Sequence, residues 1–288
     1  MSTCLLGLGS NVGDSEGTLR AAIGEIAALP DVQLVRHSGW HRTRPIGGPP
    51  DQADYVNGAA VIETTVAPLA LLAELQQIET RHGRVPAERW SPRTLDIDLL
   101  LYGNEVNETQ MLTLPHPRMS FRRFVLEPAA EIAPKMLHSV IGWPIERLLL
   151  HLQLASDVLA LVSPSEPLRV QVAALLSERC GARPMARPKF ATADHHWPPL
   201  WTTWLTVSAN SPAAAQPAEN SSELPYAAAA FPKLSVLLDA DVAHRGAEKL
   251  QWSTLVRQPG RGPTLRLQTS DPPEIEAEVL AAVDAVWA

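Results

Sequence analysis

The spacing of apolar positions divides the chain into two unlike halves. Leu5, Leu6 and Leu8 with Gly7 and Gly9 read as a short buried strand running into a glycine turn. Leu19, Ala22, Ile23 and Ile26 then recur on one helical face, which predicts a helix over 15–29. Residues 32–40 read as a second strand, the Pro/Gly-rich stretch 43–54 as a long loop, and 55–63 as a third strand. Pro68 suits a helix start, and Leu71, Leu72, Leu75 and Ile78 give the next helix its apolar stripe. A loop over 83–93 precedes a strand over 94–102, then a short strand near 111–114 and a helix over 120–132. The order βαββαβ predicts an α+β sandwich of ferredoxin-like type for residues 1–155.

Beyond about residue 155 the texture changes, and 156–288 read as a smaller α/β accessory domain. Residues 184–232 are rich in proline and carry Trp197, Trp201 and Trp204. The low-complexity tract near 205–230 reads as a loop or partly disordered segment. Strands over 234–238 and 264–268 and a helix over 274–287 close the chain.

Composition narrows the function classes. The chain has 288 residues, enough for two domains, with a formal net charge of −7 and no basic run, which argues against a nucleic-acid partner. No membrane span or signal peptide is legible at the N-terminus, so a cytoplasmic protein is expected. Cys4 and Cys180 have neither disulfide nor zinc spacing and read as buried thiols. Lysine occurs only at 135, 189, 233 and 249, so phosphate chemistry in the first 134 residues must use arginine, metal and backbone.

The candidate chemistry centres on Leu95-Asp96-Ile97-Asp98-Leu99. Alternation puts the apolar residues on one side of a strand and both acids on the other, about 7 Å apart. Two carboxylates on one face can hold a hard cation that keeps waters for phosphates to replace, which suits magnesium better than zinc. An exposed polar strand face is the plain alternative. Arg84, Arg89 and Arg93 lie close in sequence and could clamp polyphosphate, or form a solvated salt-bridge patch. His116, held between Pro115 and Pro117, is either a rigidly aimed imidazole or a loop histidine. Tyr55, Asn57 and Phe124 could supply stacking and edge recognition for a flat heterocycle, or simply pack.

The segments LGLGSNVGD, RTRPIGGPPDQADYVNGAAVIET, ERWSPRTLDIDLLLYGNE and LPHPRMSFRRFVLEPAAEIAP together resemble, in order, the signatures of the 6-hydroxymethyl-7,8-dihydropterin pyrophosphokinases of folate biosynthesis. The resemblance covers about residues 2–150. It implies a ferredoxin-like fold, ATP as co-substrate, two magnesium ions, and transfer of pyrophosphate to the pterin hydroxymethyl oxygen with release of AMP. By position it implies Asp96 and Asp98 as metal ligands, with Arg84 and Arg93 beside them in catalysis. Gln76, Glu79, Arg93, His116 and Arg122 fall at nucleotide-side positions. Thr43, Ile46, Tyr55, Asn57 and Phe124 match the pterin pocket, with Tyr55 and Phe124 stacking on the ring. The loop around Pro86 is one residue shorter than in some members of that family, and Met111 stands where a nucleotide-contacting arginine can occur; both bear on rate and nucleotide affinity.

Residues 159–185 have the strand, loop and helix texture that begins a P-loop kinase. Aligned on that motif, Ser163 and Leu168 replace the glycines, Arg169 the lysine and Val170 the hydroxyl, so any such domain is expected to be degenerate and inactive. Beside a working pyrophosphokinase, two readings of the whole stay open: a pterin- or nucleotide-binding regulatory protein that retains the fold, and a metal-dependent phosphohydrolase using the same carboxylates. Small-molecule substrates are the expected partners; the sequence names no protein partner.

Overall fold

The computed structural model describes residues 1–46, 52–84, 92–188, 202–207, 232–238, 262–269 and 271–287. The predicted features at Arg89, Pro86, Trp197 and Trp201, and most of the 205–230 tract, lie outside these residues. The chain divides into two units, Met1–Ser139 with Trp143–Leu149, and Val140–Gly142 with Leu150–Ala288.

In the first unit β1 (Ser2–Ser10) is followed by α1 (Ser15–Ala27), β2 (Val32–His37), β3 (His41–Thr43) and β4 (Tyr55–Thr64). Then come α2 (Pro68–Arg81), β5 (Asp96–Tyr102), a hairpin of β6 (Asn107–Glu108) and β7 (Thr113–Leu114), a 3-10 turn (Met119–Phe121) and α3 (Arg123–Ile132). The sheet runs β2-β4-β1-β5, every pair antiparallel, with β3 continuing beside β4. Helix α1 starts where the Asp14 side chain accepts the Gly17 N–H at 3.1 Å, and α2 starts on Pro68, whose missing N–H is free of penalty there.

Alternation along the central strand fixes the two faces. Cys4, Leu6 and Leu8 of β1, Val56, Ala60 and Ile62 of β4, and Ile97 of β5 join Leu19, Ile23 and Ile26 of α1 and Leu71, Leu75 and Ile78 of α2 in one core. Gly58 belongs to that face, and its missing side chain leaves room for Trp40: a Cβ there would lie 2.5 Å from the indole ring. Burial pushes the Cys4 thiol up to about 12, an inert position. The opposite face carries the odd-numbered residues of β1, and α3 lies along β4 beside it.

Three predicted boundaries shift. The strand expected over 32–40 breaks at Ser38, whose Oγ takes the Ala59 N–H at 2.9 Å in place of a backbone carbonyl, so the pairing resumes as β3, which ends on the first residue of the expected loop. The helix expected from 120 begins at Arg123, because Arg122 holds extended backbone after the 3-10 turn. The strand expected over 94–102 begins at Asp96.

The second unit takes in part of α4 (Ile145–Leu154), within which the division falls, then β8 (Val158–Val162), α5 (Glu166–Cys180) and β9 (Arg183–Pro184). It continues with β10 (Thr202–Thr206), β11 (Leu234–Leu238), β12 (Thr264–Leu267) and α6 (Pro272–Trp287). Its sheet order is β12-β11-β8-β10-β9, with β8, β11 and β12 parallel and β10 antiparallel to β8. Ser165 caps α5 by accepting the Leu168 N–H, and Gly181 ends it at φ 65°, a left-handed position glycine adopts freely. Two expectations are corrected here. Residues inside the predicted loop-rich stretch form β10, with Trp204 buried, and Cys180 is only half-buried.

Candidate active site

Register brings the predicted residues onto one sheet face. Gly9 of β1 stands opposite Asn57 on one side and Asp96 on the other, and Gly7 stands opposite Asp98. Thr43 and His41 of β3 pair with Tyr55 and Asn57. Residues directly opposite in an antiparallel ladder share a face. Tyr55, Asn57 and Thr43 therefore line one side of a glycine-floored strip, and the two acids line the other. A Cβ on Gly9 would lie 3.1 Å from Asn57 Oδ1, so a side chain there would press on that amide.

On the acidic side, Asp96 and Asp98 are partly exposed (23% and 34%). Burial, and then the neighbouring Asp98 charge, raise the Asp96 carboxyl above its usual range against the opposing pull of Arg93 and Arg84. Arg93 Nη1 lies 2.5 Å from Asp96 Oδ1, and Arg84 Nη1 lies 3.2 Å from the same oxygen. Glu79 reaches in from α2: its Oε1 accepts the Ile97 N–H at 2.7 Å and bonds the Arg84 guanidinium. Burial lifts the Glu79 carboxyl to about 7, with Ile97 and Arg84 opposing the rise.

His116 follows β7 and is fixed through its own backbone, whose N–H donates to the Leu100 carbonyl at 2.9 Å. Its Nε2 stands 3.8 Å from Asp98 Oδ2. Burial, with the Arg122 and Arg118 charges, pulls its imidazole down to about 3, so it is neutral near pH 7. Asp98, His116, Ile97, Leu72, Leu112 and the exposed Met111 are among the residues around a pocket of about 220 Å³. Arg122 lies over the Phe124 ring, 5.4 Å from its centroid, at the start of α3. The far end of α3 is tied to the β2–β3 segment: Glu131 bonds His41 Nε2 at 2.6 Å and the Gly39 N–H at 2.9 Å.

On the other side, Asn57 Nδ2 donates to Thr43 Oγ1 at 2.8 Å, and burial raises the Tyr55 hydroxyl above its usual range. Ile46 is half-buried just beyond β3. Gln76 is exposed on α2, where its carbonyl accepts from Thr80 Oγ1, and it does not join the cluster.

One residue has a larger role than its sequence setting implied. Asn11, within the LGLGSNVGD segment, is buried and exchanges bonds with Arg93: Asn11 N–H to the Arg93 carbonyl at 3.0 Å, and Arg93 N–H to Asn11 Oδ1 at 2.8 Å. Its Nδ2 donates to the Ala53 carbonyl at 3.3 Å, two residues before Tyr55. A single amide thus ties the arginine side of the strip to the Tyr55 side. The only sequence signal was an amide placed between Ser10 and Gly13. We expect Asn11→Ala to lower kcat/KM by about tenfold, since a lost bond of this kind is worth roughly 1 to 1.5 kcal/mol. Steady-state kinetics with each substrate varied would check this, and a wild-type value would remove the role.

The sequence profile of the 7,8-dihydro-6-hydroxymethylpterin-pyrophosphokinases matches residues 5–134. A 2-amino-4-hydroxy-6-hydroxymethyldihydropteridine pyrophosphokinase of Haemophilus influenzae is 47% identical over 137 residues, which are 48% of this chain and 85% of that protein. The enzyme of the same description from Pseudomonas aeruginosa is 43% identical over 129 residues, 45% of this chain and 79% of that one. Among solved structures, a chain described as HPPK-DHPS in complex with substrates matches 52% of this chain at 15% identity and a TM-score of 0.41. The present chain spans only 43% of that one. With the aligned segment of this chain covering most of the length of relatives nearly half identical to it, the chain belongs to the 7,8-dihydro-6-hydroxymethylpterin-pyrophosphokinase family.

Proposed function

We propose that Asp96 and Asp98 hold magnesium under the ATP polyphosphate, with Arg84 and Arg93 beside them, while Thr43, Ile46, Tyr55, Asn57 and Phe124 hold the pterin. The reaction is transfer of pyrophosphate from ATP to 6-hydroxymethyl-7,8-dihydropterin in folate biosynthesis. The observation that carries the residue assignment is the register: Gly9 sets Asn57 and Asp96 on opposite flanks of one strip, with no side chain between them.

The donor set fits magnesium. Asp96 and Asp98 offer only oxygens, and the burial and Asp98 charge that raise the Asp96 carboxyl are penalties a divalent cation would offset. Two side-chain carboxylates would leave magnesium further coordination positions for substrate phosphates and water. Bound there, two magnesium ions would supply charge neutralisation for the pyrophosphoryl group. Arg93 and Arg84 add guanidinium donors on the same flank, and neutral His116 can present an N–H to a phosphate oxygen. Arg122 completes the nucleotide side, with Glu79 behind Arg84 and Gln76 outside the cluster. Tyr55 and Phe124 would stack on the heterocycle while Asn57, oriented by Thr43, reads its edge. The protein's work is then positioning and electrostatics, with the pterin hydroxymethyl oxygen forming the bond to the β-phosphorus as the α,β-bridging oxygen departs with AMP.

The finer fold assignments belong to this proposal. With β2 and β3 taken as one interrupted strand beside β4, the βαββαβ order and the antiparallel sheet β2-β4-β1-β5 support a ferredoxin-like first unit over about 1–155. The succession β8, turn, α5 and the parallel β8, β11 and β12 support a degenerate P-loop-kinase-like accessory unit over about 156–288. There the Arg169 guanidinium donates to the Ser163 carbonyl, so the group at the motif's lysine position turns back onto the turn it follows. A cytoplasmic setting suits an ATP-dependent step, and among the described residues no helix is long and apolar enough to cross a membrane.

Incubation of the full chain with hydroxymethyl-dihydropterin, ATP and magnesium tests the reading. AMP and pterin diphosphate should form in equal amounts, and only with both substrates. ATP loss without pterin would replace the reading with phosphohydrolysis.

A further inference from the structure

Strand β5 is the outermost strand of its sheet, so alternate N–H groups along it point away from the ladder. Ile97, between the two acids, is one of these, and its N–H finds the Glu79 carboxylate at 2.7 Å. The same Glu79 oxygen bonds Arg84 Nη1, and Arg84 Nη1 is 3.2 Å from Asp96 Oδ1. One carboxylate on α2 therefore touches the backbone that carries both acids and the arginine that flanks them. Its side chain is only 2% exposed, which leaves it little surface to offer a ligand in the cleft.

We propose that Glu79 is a positioning residue for pyrophosphoryl transfer: it fixes the Asp96–Asp98 segment through the Ile97 N–H and holds Arg84 at the cleft through an ion pair, without touching the nucleotide. The proposal rests on the reading that Asp96, Asp98 and Arg84 serve the reaction. It differs from the direct nucleotide contact that the family resemblance implied for this position. Its two arms are separable. Glutamine keeps an oxygen for the Ile97 N–H but removes the charge facing Arg84, whereas leucine removes both. Groups that orient a metal-binding residue without ligating metal typically change metal affinity or activity by about 10- to 100-fold when replaced.

The test uses the full chain as wild type, Glu79→Gln, Glu79→Leu, Arg84→Gln and the Glu79→Gln/Arg84→Gln pair. Turnover is measured by AMP formation, and divalent affinity by the paramagnetic signal of free Mn2+ without nucleotide. Glu79→Gln should lower kcat/KM for ATP by about tenfold and bind Mn2+ within about twofold of wild type. The pair should be no worse than Arg84→Gln alone, because the Glu79 charge acts through that arginine. Glu79→Leu should in addition weaken Mn2+ by about tenfold. Multiplicative losses in the pair would overturn the proposal, because Glu79 would then act on the nucleotide independently of Arg84. Wild-type Mn2+ affinity in a folded Glu79→Leu would overturn the strand-fixing arm. If Glu79→Leu does not fold, the glutamine cycle still decides. An inactive wild type would overturn the functional reading instead, and the Mn2+ comparison would still stand on its own.

Discussion

Asp96→Asn and Asp98→Asn should each reduce AMP formation by about a thousandfold while leaving the protein folded. The size follows from what a bound cation contributes to a phosphoryl-type transition state, several kcal/mol, of which about 4 kcal/mol corresponds to that factor. The folding half follows from the surroundings. Both side chains are partly exposed, and burial and the Asp98 charge already disfavour ionised Asp96. Asparagine at 96 removes the repelled charge, keeps the shape, and still offers an oxygen to Arg93. Thermal midpoints within a few degrees of wild type are expected, with loss confined to turnover and to Mn2+ affinity. Wild-type rates in either variant would remove the metal assignment, and a collapsed midpoint would show that the acids are structural.

The second large effect is on stability. Gly58→Ala should destabilise the first unit by about 3 kcal/mol, the upper end of what overpacking a filled core costs. The added Cβ would sit 2.5 and 2.7 Å from two carbons of the Trp40 ring. That indole cannot withdraw cheaply, because it also stacks on His37 with 5.8 Å between ring centroids and packs against the helix-side core. Denaturant unfolding of the full chain should show a lowered midpoint for the transition that includes this unit. An unchanged midpoint would mean that Trp40 moves freely. Since Asn57 neighbours Gly58 on β4, a raised KM for pterin with little change for ATP should accompany the loss.

Much of the first unit was legible because short-range rules and long-range packing agree there. The even positions of β1, the stripe of α1 and the stripe of α2 all demand the same core, so period alone located the elements. The misses have local causes. The break at Ser38 depends on a hydroxyl entering a ladder with Ala59, twenty-one residues away, and no window around residue 38 carries that information. The late start of α3 depends on the backbone of Arg122 after a 3-10 turn. In the second unit, Thr202–Thr206 carries a weak apolar signal within a proline- and tryptophan-rich stretch, and pairing with Val158–Val162 and with β9 makes it a strand.

The candidate site was legible in kind but not in wiring. Alternation alone put Asp96 and Asp98 on one face, and the resemblance supplied the residues around them. Neither indicated that Asn11 would bond both Arg93 and Ala53, because its partners lie some eighty and forty residues away. Glu79 was assigned to the nucleotide by position, yet its contacts run to Ile97 and Arg84. Gln76, assigned alongside it, faces solvent.

The Glu79 bond to Ile97 also occupies a donor on an outer sheet edge. An outer strand with a free N–H between two acids would be a docking edge for a stray strand from another molecule, the usual first step of sheet-to-sheet aggregation. A carboxyl group bonded to that N–H leaves an incoming backbone carbonyl no donor there. Asp96 and Asp98 thus sit on a border whose amide is already taken, and a Glu79→Leu preparation should show its first defect as oligomers on a sizing column at high concentration.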